Sequence, residues 1–140
     1  MVRSVIVLAL GLVLGACGAD APDPDAAETA YGAPVDATSA IPVPAFVAEP
    51  DRYVGGRVTV DGRIVSVMSG GCTLHLDTDD GPPLRVEAGR PQAGECAWRV
   101  PRESDGFAVA AGTLRAARDT LRLIANGVRV TPVRLSPDSS

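Results

Sequence analysis

The stretch Arg57-Val-Thr-Val-Asp-Gly-Arg-Ile-Val-Ser-Val67 alternates apolar and polar residues and then changes phase. Val58, Val60 and Ile64 share one parity, and Val65 and Val67 take the other. A period of two marks a strand with one buried face. A phase change beside Gly62 predicts a bulge or sharp bend there, turning the strand to serve a second sheet surface. A long strand bent in this way suits a small curled or closed barrel.

The text that follows supplies the remaining strands. Ser69-Gly70-Gly71 is turn chemistry, and Thr73 to Asp77 alternates with Leu74 and Leu76 inward and Thr73, His75 and Asp77 outward. Asp79 to Pro83 makes a second turn and Leu84 to Glu87 a third strand. Gly89 to Asp105 has no regular pattern. Phe107 to Leu114 reads as a fourth strand, with Ala116 to Asp119 closing a hairpin onto Thr120 to Ala125. Asn126-Gly127 is a tight-turn dipeptide before the last extended piece, Val128 to Val133. The one helical turn expected lies within Pro44 to Asp51, with Phe46 or Val47 plugging the end of the barrel. Five or six strands in roughly 80 residues are too few for an immunoglobulin-like sandwich. The expectation is an all-β chain, a small five- to six-stranded OB-like barrel over residues 49–134, followed by a disordered tail at 135–140.

The leader, MVRSVIVLALGLVLGACGAD, has one cationic residue, Arg3, and an apolar run from Val5 to Val13. That run is the length of a signal-peptide core, since a membrane span needs about 20 apolar residues. Leu14-Gly15-Ala16-Cys17 resembles the lipobox of bacterial lipoproteins. The resemblance implies cleavage after residue 16 and lipidation of Cys17, hence a membrane partner through the lipid anchor. Gly18 follows the cysteine and no aspartate stands there. In an envelope with two membranes this resembles lipoproteins sorted to the periplasmic face of the outer membrane.

Without residues 1–16 the chain retains 124 residues, enough for one domain and a tail. Gly18 to Ala48 carries five acids and no base, whereas Glu49 to Ser140 carries twelve acids and twelve arginines. Residues 17–48 are also rich in Pro and Ala, a composition that predicts a disordered tether with a reach of about 30 Å. The barrel region is electrically balanced and its second and third strands contain no aromatic residue. It therefore lacks the basic footprint and the stacking platform that nucleic-acid binding needs.

The run Tyr53-x-Gly-Gly-Arg-Val-x-Val-Asp-Gly-x-Ile, Gly71-Cys72 entering a strand, Trp98-x-Val-Pro101, Gly106-Phe-Ala-Val-Ala-Ala-Gly112 and Asn126-Gly-Val-Arg-Val130 carry a second resemblance. Together they resemble an uncharacterised family of small exported bacterial proteins whose signature is a first cysteine followed by Gly-Cys-Trp. The resemblance spans about residues 50–131 and implies an OB-like barrel, with no activity attached. Met68 stands where the family's first cysteine falls, and Thr73 where its tryptophan falls.

With Cys17 lipidated, Cys72 and Cys96 remain as an even pair in an exported chain, the setting in which disulfides form. Separate thiols are the second reading. The third is a zinc or copper site using Cys72, His75 and Cys96. Residues 72 and 75 differ in parity, so a shared metal requires Cys72 to lie in the turn. Ser69, His75 and Asp77 have no spacing that makes a catalytic triad. Asp77, Asp79 and Asp80 lack the later glutamate of an EF-hand loop and read as an acidic turn. Arg85, Arg115, Arg122 and Arg129 alternate with apolar residues and line a solvated face; solubility and cross-strand pairing with acids is the first reading, and binding of an anionic small ligand or an acidic envelope protein the second. No cofactor is expected. The chain reads as a membrane-anchored, non-enzymatic binding or assembly module; the alternative is an envelope redox or metal-handling protein using Cys72 and Cys96 with His75.

Overall fold

A bent strand with one buried face leaves backbone groups and apolar side chains that neighbouring strands must cover. The computed structural model describes residues 28–92, 94–118 and 120–133. The leader, Cys17 and residues 135–140 lie outside the described residues. The elements in chain order are β1 (Thr29–Gly32), β2 (Ile41–Pro42), α1 (Val43–Ala48), β3 (Arg57–Val67), β4 (Thr73–Leu76), β5 (Leu84–Ala88), β6 (Phe107–Ala117) and β7 (Thr120–Thr131).

Five of these strands close a ring. β3 pairs with β4 and with β6, β4 with β5, and β6 with β7, all antiparallel, while β5 and β7 run parallel. The result is an all-β small barrel with two extra strands, as the OB-like expectation requires. Inward-facing Val60, Leu74, Leu76, Val86, Ala110, Leu114, Leu123 and Val128 are fully buried and form one core. Two plugs seal the barrel. On one side Phe46 of α1 is completely buried, its ring tilted against Tyr53 at a centroid distance of 5.2 Å. On the other, the connector from β5 to β6 contributes Trp98 and Val100, at 3% and 2% exposure. The Trp98 indole Nε1 donates to the Ala125 carbonyl at 2.9 Å.

The phase change in β3 falls elsewhere than the sequence suggested. Ile64 faces Leu76 and Ser66 faces His75, so one extra residue, Val65, bulges out of the ladder and is 56% exposed. Gly62 keeps the inward parity of Val58, Val60 and Ile64. It is glycine because α1 packs there: an added Cβ would come within 2.9 Å of Val43 Cγ2. Gly62 is therefore the seat of the plug helix, and the bend lies three residues further on.

Asn126-Gly127 is likewise not a hairpin turn. β7 runs through it unbroken, because the segments on both sides pair with the same long strand β6. Asn126 is the extra residue of a bulge between the Ala111 and Gly112 pairings. The Asn126 carbonyl accepts the Ala33 N–H at 2.9 Å, and a Cβ on Gly127 would overlap the Ala33 carbonyl. The dipeptide lets the N-terminal segment approach β7.

That approach corrects the expected boundaries. Residues 28–48, assigned above to a disordered tether, are ordered, and the folded unit begins well before residue 49. β1 pairs antiparallel with Gly127–Val130 of β7, and β2 pairs parallel with Val60–Asp61 of β3. Each covers the part of a long strand that its barrel neighbour does not reach. Composition misled because this strap needs no core of its own: Val43 and Phe46 insert into one already built, and Val35 is buried beside Gly127. Arg129 pairs with Glu28 and donates to the Val35 carbonyl at 3.4 Å, fastening the strap from outside.

Between β1 and β2 a 3-10 turn, Ala37–Ser39, is capped by Asp36, whose carboxylate accepts from Thr38 Oγ1 at 2.6 Å and Thr38 N–H at 3.0 Å. The Thr38 hydroxyl, then its amide, holds the Asp36 carboxyl below the ordinary aspartate value. A lowered carboxyl pKa contributes stability above the unfolded value, and that contribution is lost as pH falls through the folded one. Carbon-13 titration should place Asp36 below the ordinary aspartate value, with Thr38→Val returning it upward. Gly62→Ala should destabilise the fold by about 1–3 kcal/mol through overpacking against Val43. Urea unfolding of Gly62→Ala/Val43→Ala should then show less than the summed loss, and strict additivity would refute the seat assigned to Gly62.

Candidate binding face

The cysteines meet at the connector end of the barrel. Cys72 lies in the turn entering β4, Cys96 lies in the β5–β6 connector, and the two form a disulfide with Cα atoms 5.9 Å apart. Backbone bonds hold both sides of the link: Ala88 N–H to the Cys72 carbonyl at 2.8 Å, Val100 N–H to Gly71 at 2.9 Å and Ala97 N–H to Gly89 at 2.7 Å. The bond fastens the otherwise irregular connector that carries Trp98.

This pairing overturns the metal alternative at Cys72, His75 and Cys96. Both sulfurs are bonded to each other, so neither offers a thiolate, and His75 stands outward on β4. Among the described residues no three His, Cys, Asp or Glu side chains come together as a metal-binding group. His75 Nδ1 instead meets Ser66 Oγ at 3.2 Å. Ser66, not Ser69, is the serine beside the histidine, because the Val65 bulge shifts the register by one residue. The alternation of β4 and a bulge within β3 were readable from sequence; the bulge's place at Val65, which selects Ser66, was not. Asp77 accepts the Asp79 N–H at 3.0 Å, so it closes a local turn and does not orient the imidazole.

The outward row continues past His75. His75 faces Arg85 on β5, Arg85 faces Arg122 on β7, and Arg122 faces Arg115 on β6. Three arginines thus stand side by side across three strands, where like charges directly opposite are destabilising. One carboxylate serves two of them: Glu87 pairs with Arg85 Nε at 2.9 Å and with Arg122 Nη1 at 3.4 Å. Arg115 is exposed and has no ion pair among the described residues. Sequence parity put these arginines outward with Arg129, but only the register separates them. Arg129 secures the strap; the other three form the row.

Beside Arg85 a groove of about 590 Å³ opens at the end plugged by α1. Val47, Pro82, Pro83, Leu84 and Leu121 supply its apolar lining, and Arg85 and His75 stand at it with Thr120. Thr78 is buried and binds the Gly81 and Pro82 carbonyls at 3.2 and 3.1 Å, fixing the β4–β5 loop that makes one wall. Its size falls within the range of small-ligand sites, and an apolar lining with a few convergent polar groups is the usual composition of one.

No protein-family model matches the sequence, and a search of curated proteins returns no match.

The disulfide closes a span of 24 residues, so replacing both cysteines by serine should cost about 3–4 kcal/mol in the chain-entropy model while the barrel still forms. Denaturant unfolding with far-UV circular dichroism reads both outcomes. Unchanged stability would mean that the connector is held without the bond.

Proposed function

We propose that the chain is a lipid-anchored lipoprotein of the bacterial envelope whose barrel is a non-enzymatic binding or assembly module. The observation that carries the module reading is the row Arg85–Arg122–Arg115, three like charges aligned at a cost to stability with one carboxylate between two of them. Such a row is better suited to an external anion than to fold stability. The anchor reading draws on Leu14-Gly15-Ala16-Cys17.

The strap sharpens the geometry of such an anchor. Ten residues lie between Cys17 and Glu28, the first described residue, and a fully extended chain covers at most about 3.6 Å per residue. Glu28, and the β1 edge of the barrel that follows it, would then lie within roughly 40 Å of the lipid.

The redox alternative uses the same disulfide. Its position, closing a backbone-bonded clasp over Trp98, favours a structural role, for which a reduction potential below about −300 mV is expected. A reversible couple at a milder potential would revive the alternative. Replacing Cys17 by alanine should move the expressed chain from the detergent phase to the aqueous phase on temperature-induced phase separation. An unchanged partition would sink the anchor.

A further inference from the structure

The groove and the arginine row are continuous, because Arg85 belongs to both. It lines the apolar groove and stands in register with Arg122, which stands in register with Arg115. A molecule seated among Val47, Pro83, Leu84 and Leu121 would therefore have its polar end beside guanidinium groups. Guanidinium matches carboxylate and phosphate oxygens through paired N–H donors, and its weak hydration limits the cost of bringing it against an apolar wall. Among the described residues Asp80 is the one carboxylate lining the groove and His75 its one imidazole. Glu87, held by Arg85 and Arg122, is the internal stand-in for the acid a ligand would bring.

We propose that this groove binds a small single-chain amphiphile, its apolar body against Val47, Leu84 and Leu121 and its acidic headgroup on Arg85 and the row behind it. The proposal rests on reading the barrel as a binding module and is independent of the lipid anchor. A volume of about 590 Å³ suits one small molecule, so a free amphiphile fits the site better than a bilayer surface.

The chain from Gly18 onward keeps the whole described fold and serves as the test protein. Octyl phosphate, below its micelle concentration, should bind saturably with one site, shifting the amide resonances of Leu84, Arg85, Thr120 and Leu121. Octyl glucoside, which lacks the charge, should bind at least about tenfold more weakly, the loss expected for one charge-assisted contact, and inorganic phosphate, which lacks the octyl chain, at least about tenfold more weakly through lost apolar burial. Arg85→Gln should weaken octyl phosphate by about tenfold and leave octyl glucoside unchanged. Arg115→Gln, on the exposed end of the row, should weaken it less, and Leu121→Asp should weaken both amphiphiles. Thermal unfolding of each variant separates loss of binding from loss of fold.

Octyl glucoside binding as tightly as octyl phosphate, or Arg85→Gln without effect in a folded variant, would overturn the proposal. So would binding seen only with vesicles containing phosphatidylglycerol and not with octyl phosphate, since that would make the row a membrane-contact surface. Failure of these titrations leaves the anchor reading intact, because phase partition tests Cys17 alone.

Discussion

Every strand of a closed barrel must have both edges paired, and β3 and β7 each run well past one neighbour, β4 and β5 respectively. β4 reaches β3 only from Ile64 onward, and β5 reaches β7 only as far as Ala125. The uncovered halves present backbone donors and acceptors that either pair within the chain or invite pairing with another. β1 and β2 close these two gaps, one antiparallel and one parallel. The strap is therefore part of the barrel's hydrogen-bonding, and α1, which follows β2 directly, is delivered to its seat by the same pairing.

The two ends of the barrel are sealed by different means. α1 is only six residues long, yet Val43 and Phe46, three apart, share its buried side. Pro50 follows its C-cap closely and favours the stop. The opposite end is sealed without a helix, by a connector whose order comes from tertiary bonds: the disulfide, the indole bond to Ala125 and the amide bonds near Gly71 and Gly89. Because the first end is made of a short helix and loops, it leaves room for a groove; the second is drawn tight.

What the sequence disclosed followed from side-chain period. Alternation located all five barrel strands, and parity put Leu74 and Leu76 inward and His75 and the arginines outward. The same arithmetic kept Cys72 and His75 apart. What it missed depended on partners remote in sequence. Gly62 looks like a bend until Val43 is placed over it, and Asn126-Gly127 looks like a turn until both flanks are seen to face β6. An acidic, proline-rich segment looks unable to fold, and by itself it would be; edges supplied by β3 and β7 decide otherwise. The arginine row belongs to this second class, because three arginines on three strands become neighbours only through register.

The pairing of β1 with β7 also dictates an order of assembly. Thr29 meets Val130 across a hundred residues of chain, and Glu28 meets Arg129 over a similar span. Non-local contacts of this kind form after local ones, because loop closure must come before the contact rewards it. The residues that leave the synthesis machinery near the front of the chain are thus among the last to find their places. Until β7 exists β1 has no edge to lie on, and a chain interrupted before residue 127 would leave β1 without one. Completion of the C-terminal strand is what finishes the N-terminal one.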